Sequence, residues 1–539
     1  MAGADPALAL AGARLLRTFD GHAPSPAIVA AIAARQAAGV SLYRARNIAH
    51  PSQVRELTAA LQAARPAGDP ALLIAIDQEG GQLQAVGDPA TAWPGNLALA
   101  ATRSAELARR TGAAIGLELA ALGVNVNFAP VADLLDDSGN PVMGTRTFGD
   151  DPRVAGDLAA AFVEGIQAAG VAATLKHFPG HGAVAGDSHH ALPVLAADRI
   201  LLRSRELVPF VAGLAADVRL VMLAHLAVPG LTGRRDLPAT LAADVVALLR
   251  DELGFTGVTV SDALDMGALA AFGALPQLAV AAAAAGIDLL LANHPADAEA
   301  AAFEALADAI RSGRPDAGAA QAAAARVHAL RQWLGGPVVQ PDVSVVGSRA
   351  HLDLARETAE RSITLLRDRT GLLPLSPGRR LLVVAPRATD LTPADTSSYL
   401  ELSLAGALRL TGCTVDEIGI SLDPADGEIR SVVARADGLR EAASQAADQA
   451  PIVVVGTVDA LVHRSQARLV EALVSGRVPV VAVALRAPVD LVAYPGVGTA
   501  LATYGQQAPS LVAVAAAIAG RIPLRGRLPV RLPAGFERA

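Results

Sequence analysis

The first half of the chain alternates short runs of β-branched and aliphatic residues with longer stretches rich in Ala and Leu. The short runs are typical of buried strands, and the longer stretches, such as Ser104–Leu122 and Pro152–Ala169, are typical of helices. Repeated strand–helix alternation predicts parallel strands joined by crossover helices, so we expect an α/β fold. The region is long enough to favour a TIM-type (β/α)8-like barrel over a single open sheet. The predicted strands are Val40–Tyr43, Leu72–Ile76, Val124–Phe128, Ala172–Leu175, Leu220–Leu223, Val258–Val260 and Ile287–Leu291.

Two domains are expected, because 539 residues exceed what one hydrophobic core organises. We predict a barrel domain over residues 1–335, with Met1–Asp20 as its first helix. Gly-Pro and Gln-Pro-Asp runs indicate a linker at 336–350. Residues 351–539 are predicted to form a smaller α/β sandwich domain. Its predicted strands are Leu381–Val384, Ile452–Val455, Val480–Ala484 and Ala500–Thr503.

Polar and ionisable residues follow several of the predicted barrel strands. Buried parallel strands are apolar along their length, so polar residues collected just past their carboxyl ends indicate the active-site face of a barrel. Any one of these residues could instead be the N-cap of the next helix. Five strand ends with such residues together favour a functional site. They are Asp77-Gln78-Glu79, Asp133, Lys176-His177, His225 and Ser261-Asp262.

Composition and charge exclude several classes of protein. The net charge is −7, aromatic residues make up 3% and there is no basic stripe, so nucleic acid is not an expected partner. The single cysteine, Cys413, rules out intrachain disulfides and a Cys-based zinc cluster. No apolar run reaches the roughly 18–20 residues that a bilayer crossing needs, so we expect no membrane association. The chain start lacks the pattern of a signal peptide, and we predict a cytoplasmic protein.

The densest cluster of reactive residue types is the segment Lys176–Gly182 with the following Asp187–His190. It holds four of the chain's 11 histidines, and Gly180, Gly182 and Gly186 give it the flexibility that a moving catalytic group uses. Clustered His and Asp could also bind zinc. However, the spacing matches no HExxH or similar motif, and Lys176 would repel a cation, so no metal is predicted.

These residues resemble a known family. Lys176–Gly182 with Asp187-Ser188-His189 is similar to the signature of glycoside hydrolase family 3 β-N-acetylglucosaminidases of the two-domain type. The resemblance extends over almost the whole chain, and the shared order of its motifs makes a chance match improbable. The further segments are Asp77–Gly81, Asn127–Val131, Gly144–Gly149, Arg205–Leu207, Pro209–Phe210, Ala224–His225, Gly254–Gly257, Ser261–Leu264, Ser362–Leu366 and Leu528–Val530.

The resemblance implies a retaining glycosidase with Asp262 as nucleophile. Retention requires a nucleophile under the anomeric carbon and a proton donor for the leaving oxygen. Members of this branch use a His paired with an Asp as the donor, and His189 with Asp187 fits that pair. Two residues separated by one position point to the same face of an extended segment. A carboxylate beside an imidazole orients the ring and raises its pKa. The alternative is that Asp187 and His189 form a polar surface turn.

For sugar binding the resemblance implies Asp77, Arg146, Lys176 and His177, and it implies no metal or organic cofactor. Asp77 would accept hydrogen bonds from sugar hydroxyls, whereas Arg146 and Lys176 would donate charge-assisted ones. The alternative is that these charges form salt bridges across the barrel mouth. His225 is expected to be a packed barrel histidine, and Glu79 to support the sugar-binding residues.

The sequence departs from the family pattern at Ala85. Family members usually have there an Arg that also holds the sugar, and the side chain of Ala cannot donate a hydrogen bond. Either another group compensates, with Gln82 and Gln84 as candidates, or the preference between N-acetylglucosamine and glucose has changed.

The sequence therefore predicts a retaining exo-β-N-acetylglucosaminidase with a covalent glycosyl–Asp262 intermediate. Its expected substrate is a carbohydrate, either a cell-wall muropeptide or a chitin-like oligosaccharide. The alternatives are a phosphorylase that uses phosphate as acceptor, a β-glucosidase, or a sugar-binding protein without catalysis. A pure binder would have no need of an acid/base pair.

Overall fold

The computed structural model describes residues 5–135, 140, 142–184, 186, 188–336, 339–376, 378–442, 451–476 and 478–533. Its first ten strands lie before residue 300 and the remaining six after residue 360. The strands are β1 (Leu15–Arg17), β2 (Gly39–Ser41), β3 (Leu73–Ile76), β4 (Gln78–Gly80), β5 (Leu83–Gln84), β6 (Val126–Asn127), β7 (Ala172–Phe178), β8 (Leu220–Leu223), β9 (Val258–Ser261), β10 (Leu290–Leu291), β11 (Thr364–Asp368), β12 (Arg380–Pro386), β13 (Thr414–Ile420), β14 (Ile452–Thr457), β15 (Val480–Ala484) and β16 (Thr499–Ala502).

Helices connect most of these strands. No helix of the described residues is long and apolar enough to cross a membrane. The α-helices are Pro6–Gly12, Pro26–Ala33, Arg44–Asn47, Pro51–Ala63, Asn96–Thr102, Ala105–Ala121, Pro152–Ala168, Arg199–Leu201, Val208–Ala215, Pro229–Thr232, Ala243–Ala247, Leu275–Ala284, Ala296–Arg311, Ala317–Leu334, Arg349–Ser362, Leu404–Arg409, Asp426–Ala442, Arg464–Ser475 and Ala508–Ile518.

The first sheet is a barrel of parallel strands in the order β10-β1-β2-β3-β6-β7-β8-β9. A parallel bridge between Val260 and Leu289 joins the two ends of that order, so the sheet closes on itself. The side chains of these strands are buried, as expected for strands covered by helices on one side and by the barrel interior on the other. The predicted (β/α)8-like barrel is confirmed.

The two helices predicted in most detail are also confirmed, because local capping agrees with the hydrophobic pattern. Ala105–Ala121 begins after Ser104, whose hydroxyl accepts a hydrogen bond from the backbone N–H of Leu107 at 3.2 Å. Pro152–Ala168 begins after Asp151, whose carboxylate caps two backbone N–H groups of the first turn. Such caps satisfy backbone donors that a helix leaves unpaired.

The prediction of one helix over Met1–Asp20 is wrong in its second half, where β1 forms. Arg14 and Arg17 flank two leucines and make the segment look like a helix surface. In the barrel both guanidinium groups are nonetheless buried. Arg14 donates to the carbonyl of Asp288 at 3.2 Å, and Arg17 pairs with Glu299 at 3.3 Å. Because distant residues pair with Arg14 and Arg17, the segment Leu15–Arg17 can form the buried strand β1.

The second sheet has six strands in the order β11-β16-β15-β14-β12-β13, with β11 antiparallel to its neighbour and the others parallel. The four predicted parallel strands are confirmed, and together with the helices around them they form the expected smaller α/β domain. Strand β13 was not predicted, because it lies at the sheet edge and carries exposed charged residues, among them Glu417. An edge strand is buried only in part and so lacks a continuous apolar run.

The predicted domain boundaries, 1–335, 336–350 and 351–539, stay a prediction. The helix Arg349–Ser362 begins inside the predicted linker. Its His351 contacts Glu118 of a barrel helix, with Nδ1 2.8 Å from Oε1. The segment after the linker is therefore attached to the barrel as well as to the second sheet.

A buried polar network joins the two domains at Gln82, in the turn between β4 and β5. The Gln82 side-chain oxygen accepts hydrogen bonds from Thr145 Oγ1 at 2.7 Å and from Arg486 Nη2 at 2.5 Å. Its backbone carbonyl accepts from the N–H of Thr396 at 2.8 Å. Arg486 also donates to Asp395 at 2.6 Å. A guanidinium of the second domain is thus satisfied by groups of both domains.

Replacing Arg486 with Met should lower the free energy of unfolding by about 3–5 kcal/mol, the scale for removing one partner of a buried ion pair. The cause is that the buried Asp395 carboxylate loses its cationic partner and the Gln82 oxygen loses one of its two donors. Urea unfolding followed by circular dichroism measures the change. The matched control is Arg380→Met, which breaks an exposed pair with Asp416 and should cost about 1 kcal/mol or less. Equal changes in the free energy of unfolding for the two substitutions would contradict the proposed contribution of this network to stability.

Candidate active site

A pocket of about 670 Å³ lies at the carboxyl ends of the barrel strands. The strand ends and the loops after them form its floor, and the segment Asp390–Tyr399 of the second domain forms one wall. Of the seven residues predicted for the site, Asp187 lies outside the described residues. The other six all line this pocket: Asp77, Arg146, Lys176, His177, His189 and Asp262.

Glu79 is the centre of a buried charge network beneath the pocket. Its carboxylate accepts two hydrogen bonds from Arg146, at 2.8 and 2.9 Å, and lies 2.6 Å from the Lys176 ammonium. Lys176 is also 2.6 Å from Asp77. Burial would raise the pKa of Glu79, but the two cations hold it at about 2. Burial lowers the pKa of Lys176, and its two carboxylate partners more than reverse this. The salt bridges considered from the sequence are therefore present, and Glu79 supports the site as expected.

His177 is held by Asp133, a strand-end residue to which the sequence assigned no role. The Asp133 carboxylate is 2.7 Å from His177 Nδ1 and accepts hydrogen bonds from the backbone N–H groups of His177 and His181. Burial raises the pKa of Asp133, but the two neighbouring histidines bring it below its ordinary value. Because Asp133 occupies Nδ1, the ring presents its Nε2 edge for a ligand.

Asp262 follows β9 directly and is fixed by the barrel. Its backbone N–H donates to the carbonyl of Leu223 at 3.1 Å, and its carboxylate accepts from the N–H of Ala263 at 2.8 Å. Burial would raise the pKa of Asp262, but His177, His225 and the Ala263 amide hold it at about 2. The carboxylate is therefore ionised at neutral pH, as a nucleophile must be.

His225 packs in the barrel, as expected. Its ring nitrogens contact Thr240 Oγ1 at 2.7 Å and the Ala263 carbonyl at 2.9 Å. Burial lowers its pKa below the ordinary value of histidine. His225 nevertheless lies close enough to Asp262 to influence the pKa of that carboxyl, so it belongs to the surroundings of the site.

His189 lies on a loop that is attached to the segment after Asp262. The carbonyls of Ser188 and His189 accept hydrogen bonds from the N–H groups of Ala268 and Gly267, at 3.0 and 3.2 Å. A Cβ atom at position 267 would lie 2.5 Å from the His189 carbonyl oxygen, so this close approach requires glycine. The imidazole and the Asp262 carboxylate consequently share one pocket. The pairing of Asp187 with His189 stays a prediction.

Neither Gln82 nor Gln84 is placed to compensate for Ala85. Gln82 is committed to the network between the domains. The side-chain oxygen of Gln84 accepts from the backbone N–H of Trp93 at 2.9 Å, and its side-chain nitrogen donates to the Gly81 carbonyl at 3.2 Å. Ala85 itself lines the pocket, whereas neither glutamine does.

Several residues that line the pocket were not predicted. Tyr43 and Arg44 follow β2, and the predicted strand Val40–Tyr43 already placed them at a strand end, so this signal was present in the sequence. The segment Asp390–Tyr399 gave no such signal, because only the docking of the second domain brings it over the barrel. The unpredicted residues of this wall include Asp390 and Tyr399.

The model of the glycosyl hydrolase family 3 N-terminal domain matches residues 13–330, the region that forms the barrel. The chain belongs to glycosyl hydrolase family 3. The resemblance stated from the motifs is confirmed. This family 3 chain is also similar over its whole length to a solved structure, a glycoside hydrolase family 3 β-N-acetylglucosaminidase from Paenibacillus sp. str. FPU-7. The identity is 36%, the TM-score is 0.89, and the match covers 97% of this chain and 98% of the other.

Two curated relatives of the family 3 chain are β-hexosaminidases. β-Hexosaminidase A of Pseudoalteromonas piscicida is 34% identical over 364 residues, which cover 62% of this chain and 60% of that protein. The match therefore spans less than two thirds of that relative. A β-hexosaminidase of Pseudomonas aeruginosa (strain LESB58) is 43% identical over 260 residues, which cover 48% of this chain and 76% of that protein.

Glu79→Gln should destabilise the protein at pH 7 by about 3–5 kcal/mol, because Arg146 and Lys176 lose the anion between them. The pKa of Glu79 is lower in the folded state, about 2, than its ordinary value of 4.5. The stabilisation is therefore fully present above about pH 4.5 and is lost as the pH falls towards 2. The gap between wild type and variant in urea unfolding should narrow over that window.

The matched control for this prediction is Glu106→Gln, which removes an exposed pair with Arg109. It should change the unfolding free energy by about 1 kcal/mol or less. A gap for Glu79→Gln that widens on acidification would contradict the assigned role of the Glu79 carboxylate.

Proposed function

We propose that this chain removes terminal β-N-acetylglucosaminyl residues from oligosaccharides with retention of configuration, using water as the acceptor. One observation carries the proposal: the ionised Asp262 carboxylate is fixed at a barrel strand end, in the same pocket as His189 and the predicted sugar-binding residues. Membership of family 3 and the similarity to β-hexosaminidases support the reaction class and the sugar.

In the first step an oxygen of Asp262 bonds to the anomeric carbon as the bond from that carbon to the leaving oxygen breaks. His189 gives its proton to the leaving oxygen. In the second step His189 takes a proton from water, the water oxygen bonds to the anomeric carbon, and the ester bond to Asp262 breaks. A low carboxyl pKa serves both steps, since Asp262 begins as an anion and leaves as one. Asp187 is proposed to orient the His189 ring.

The sugar is proposed to bind to Asp77, Arg146, Lys176 and His177. The Lys176 ammonium has three donors, of which Asp77 and Glu79 engage two among the described residues, and we assign the third to a sugar hydroxyl. The fixed ion pairs preorganise these donors, which reduces the ordering that sugar binding requires. The same pairs neutralise the charges of Arg146 and Lys176, so these two cations do not favour a phosphate dianion as acceptor over water.

The natural substrate is proposed to be a cell-wall muropeptide or a chitin-like oligosaccharide, as the family resemblance implies. A cytoplasmic location stays a prediction from the sequence.

The direct test compares nitrophenyl β-N-acetylglucosaminide with nitrophenyl β-glucoside, each with and without millimolar phosphate. We expect the N-acetylglucosaminide to have the higher kcat/KM, with free sugar of β-configuration as the first product by NMR and no response to phosphate. The release of sugar 1-phosphate, or a preference for the glucoside, would replace the proposal by one of its alternatives. Inversion at the anomeric carbon would exclude the covalent mechanism.

His189→Ala should reduce kcat strongly for substrates with poor leaving groups and spare those with activated phenols. The reason is that a dinitrophenolate departs without protonation, whereas an alkyl or sugar alcohol does not. General acid catalysis is typically worth about 10²–10⁴-fold, so we expect a loss of that order on N,N′-diacetylchitobiose. Rates with dinitrophenyl and chitobiose substrates measure the difference. An equal loss on the two substrates would refute the role of His189 as acid.

A further inference from the structure

Arg44 differs from the other cations of the pocket in its partners. Arg146 and Lys176 are paired with carboxylates. Arg44 lines the same pocket, but no carboxylate of the described residues forms an ion pair with it. Its hydrogen bond within the described part of the chain runs from Nη1 to the carbonyl of Gln84 at 3.0 Å. A guanidinium has five N–H donors, so most of those of Arg44 are available to a ligand.

The position of this guanidinium is fixed by the strand beside it. Gln84, whose carbonyl it contacts, immediately precedes Ala85, and Ala85 donates its backbone N–H to the carbonyl of Asp77 at 3.2 Å. On the other side, a Cβ atom at Gly87 would lie 2.3 Å from Arg44 Nη2. The absence of a side chain at Gly87 therefore makes room for the Arg44 guanidinium. That side chain reaches the pocket beside the strand end that carries Asp77.

The second domain holds the other face of the guanidinium. The Tyr399 ring lies against it, with the guanidinium carbon 3.9 Å from the ring centroid. Such stacking orients an arginine while leaving its N–H groups free at the edge. Asp390 restrains this wall, since its carboxylate accepts two hydrogen bonds from Ser398, each at 2.7 Å. Tyr399 is half exposed, so the stack faces the open pocket rather than a sealed interface.

We propose that Arg44 binds the terminal sugar through its hydroxyl or acetamido oxygens, and that Tyr399 positions it for this contact. The inference rests on the proposed function. It explains how the pocket retains a sugar-facing cation although position 85 is alanine. The cation comes from the end of β2 and not from position 85, which directly follows β5. The second domain thereby contributes to sugar binding through the residue that it positions.

The test uses four variants of the full chain: Arg44→Ala, Ala85→Arg, the double variant with both substitutions, and Arg46→Ala. Arg46 is the matched control, since it lies in the same short helix, donates to Asn293 at 2.8 Å and does not line the pocket. The readouts are KM and kcat on nitrophenyl β-N-acetylglucosaminide, the inhibition constant of free N-acetylglucosamine, and thermal unfolding. The inhibition constant reports contacts to the terminal sugar alone.

Arg44→Ala should raise both KM and the inhibition constant by about tenfold or more, the scale of a lost charge-assisted hydrogen bond. Arg46→Ala should leave them within about twofold of wild type. Ala85→Arg alone should not improve binding, because two guanidinium groups would compete for one place. In the double variant the arginine at 85 should restore most of the lost affinity, an effect that a merely structural role of Arg44 does not predict.

An inhibition constant for Arg44→Ala within twofold of wild type, in an active and folded enzyme, would overturn the inference. A double variant that binds no better than Arg44→Ala would do the same. If wild type does not hydrolyse the N-acetylglucosaminide at all, the proposed function and this inference fail together. If wild type hydrolyses the N-acetylglucosaminide and Arg44→Ala has an unchanged inhibition constant for N-acetylglucosamine, the inference about Arg44 fails and the proposed function stands.

Discussion

The Glu79 carboxylate, buried between Arg146 and Lys176, is the interaction on which the site depends. Isolated, each of these three charges would be costly to bury. Together they are compatible with burial, because each carries short hydrogen bonds to an opposite charge. The network fixes Lys176 at the end of β7 against Asp77 after β3, so two distant parts of the chain present polar groups to one ligand. It holds these groups charged, which prepares the pocket for a neutral, hydroxyl-rich substrate.

The hairpin that contains Glu79 also connects the two domains. Glu79 points beneath the pocket, and three residues later Gln82 bonds to Thr145, to Arg486 and to the backbone of Thr396. The position of the Asp390–Tyr399 segment is therefore coupled to the strand end that carries Asp77, the proposed sugar-binding carboxylate. A displacement of the second domain would disturb the pocket wall and the hairpin together. This coupling is a physical reason why the active site of this barrel requires the second domain.

Much of this arrangement follows from the sequence. The alternation of apolar runs with helical stretches predicted the barrel, and polar strand ends predicted Asp77, Lys176, His177 and Asp262 as one cluster. Arg146 ends the 3-10 helix Gly144–Arg146, a single turn too short for periodicity to carry information, and only the family resemblance pointed to it. Three features were out of reach for physical reasons. Strand β1 forms because Arg14 and Arg17 find distant partners. The pocket wall at Tyr399 forms only when the two domains dock. The hydrogen bonds that occupy Gln82 and Gln84 depend both on distant partners and on this docking.

The central claim is that the ionised Asp262 carboxylate forms a covalent bond to the sugar. Incubation with a slow-turnover fluorinated N-acetylglucosaminyl donor, followed by proteolysis and mass spectrometry, tests it most directly. We predict that the mass of the glycosyl group is added to the peptide containing Asp262, at Asp262, and that Asp262→Asn acquires no label. A label on another residue, or inactivation of Asp262→Asn with the same added mass, would contradict the account.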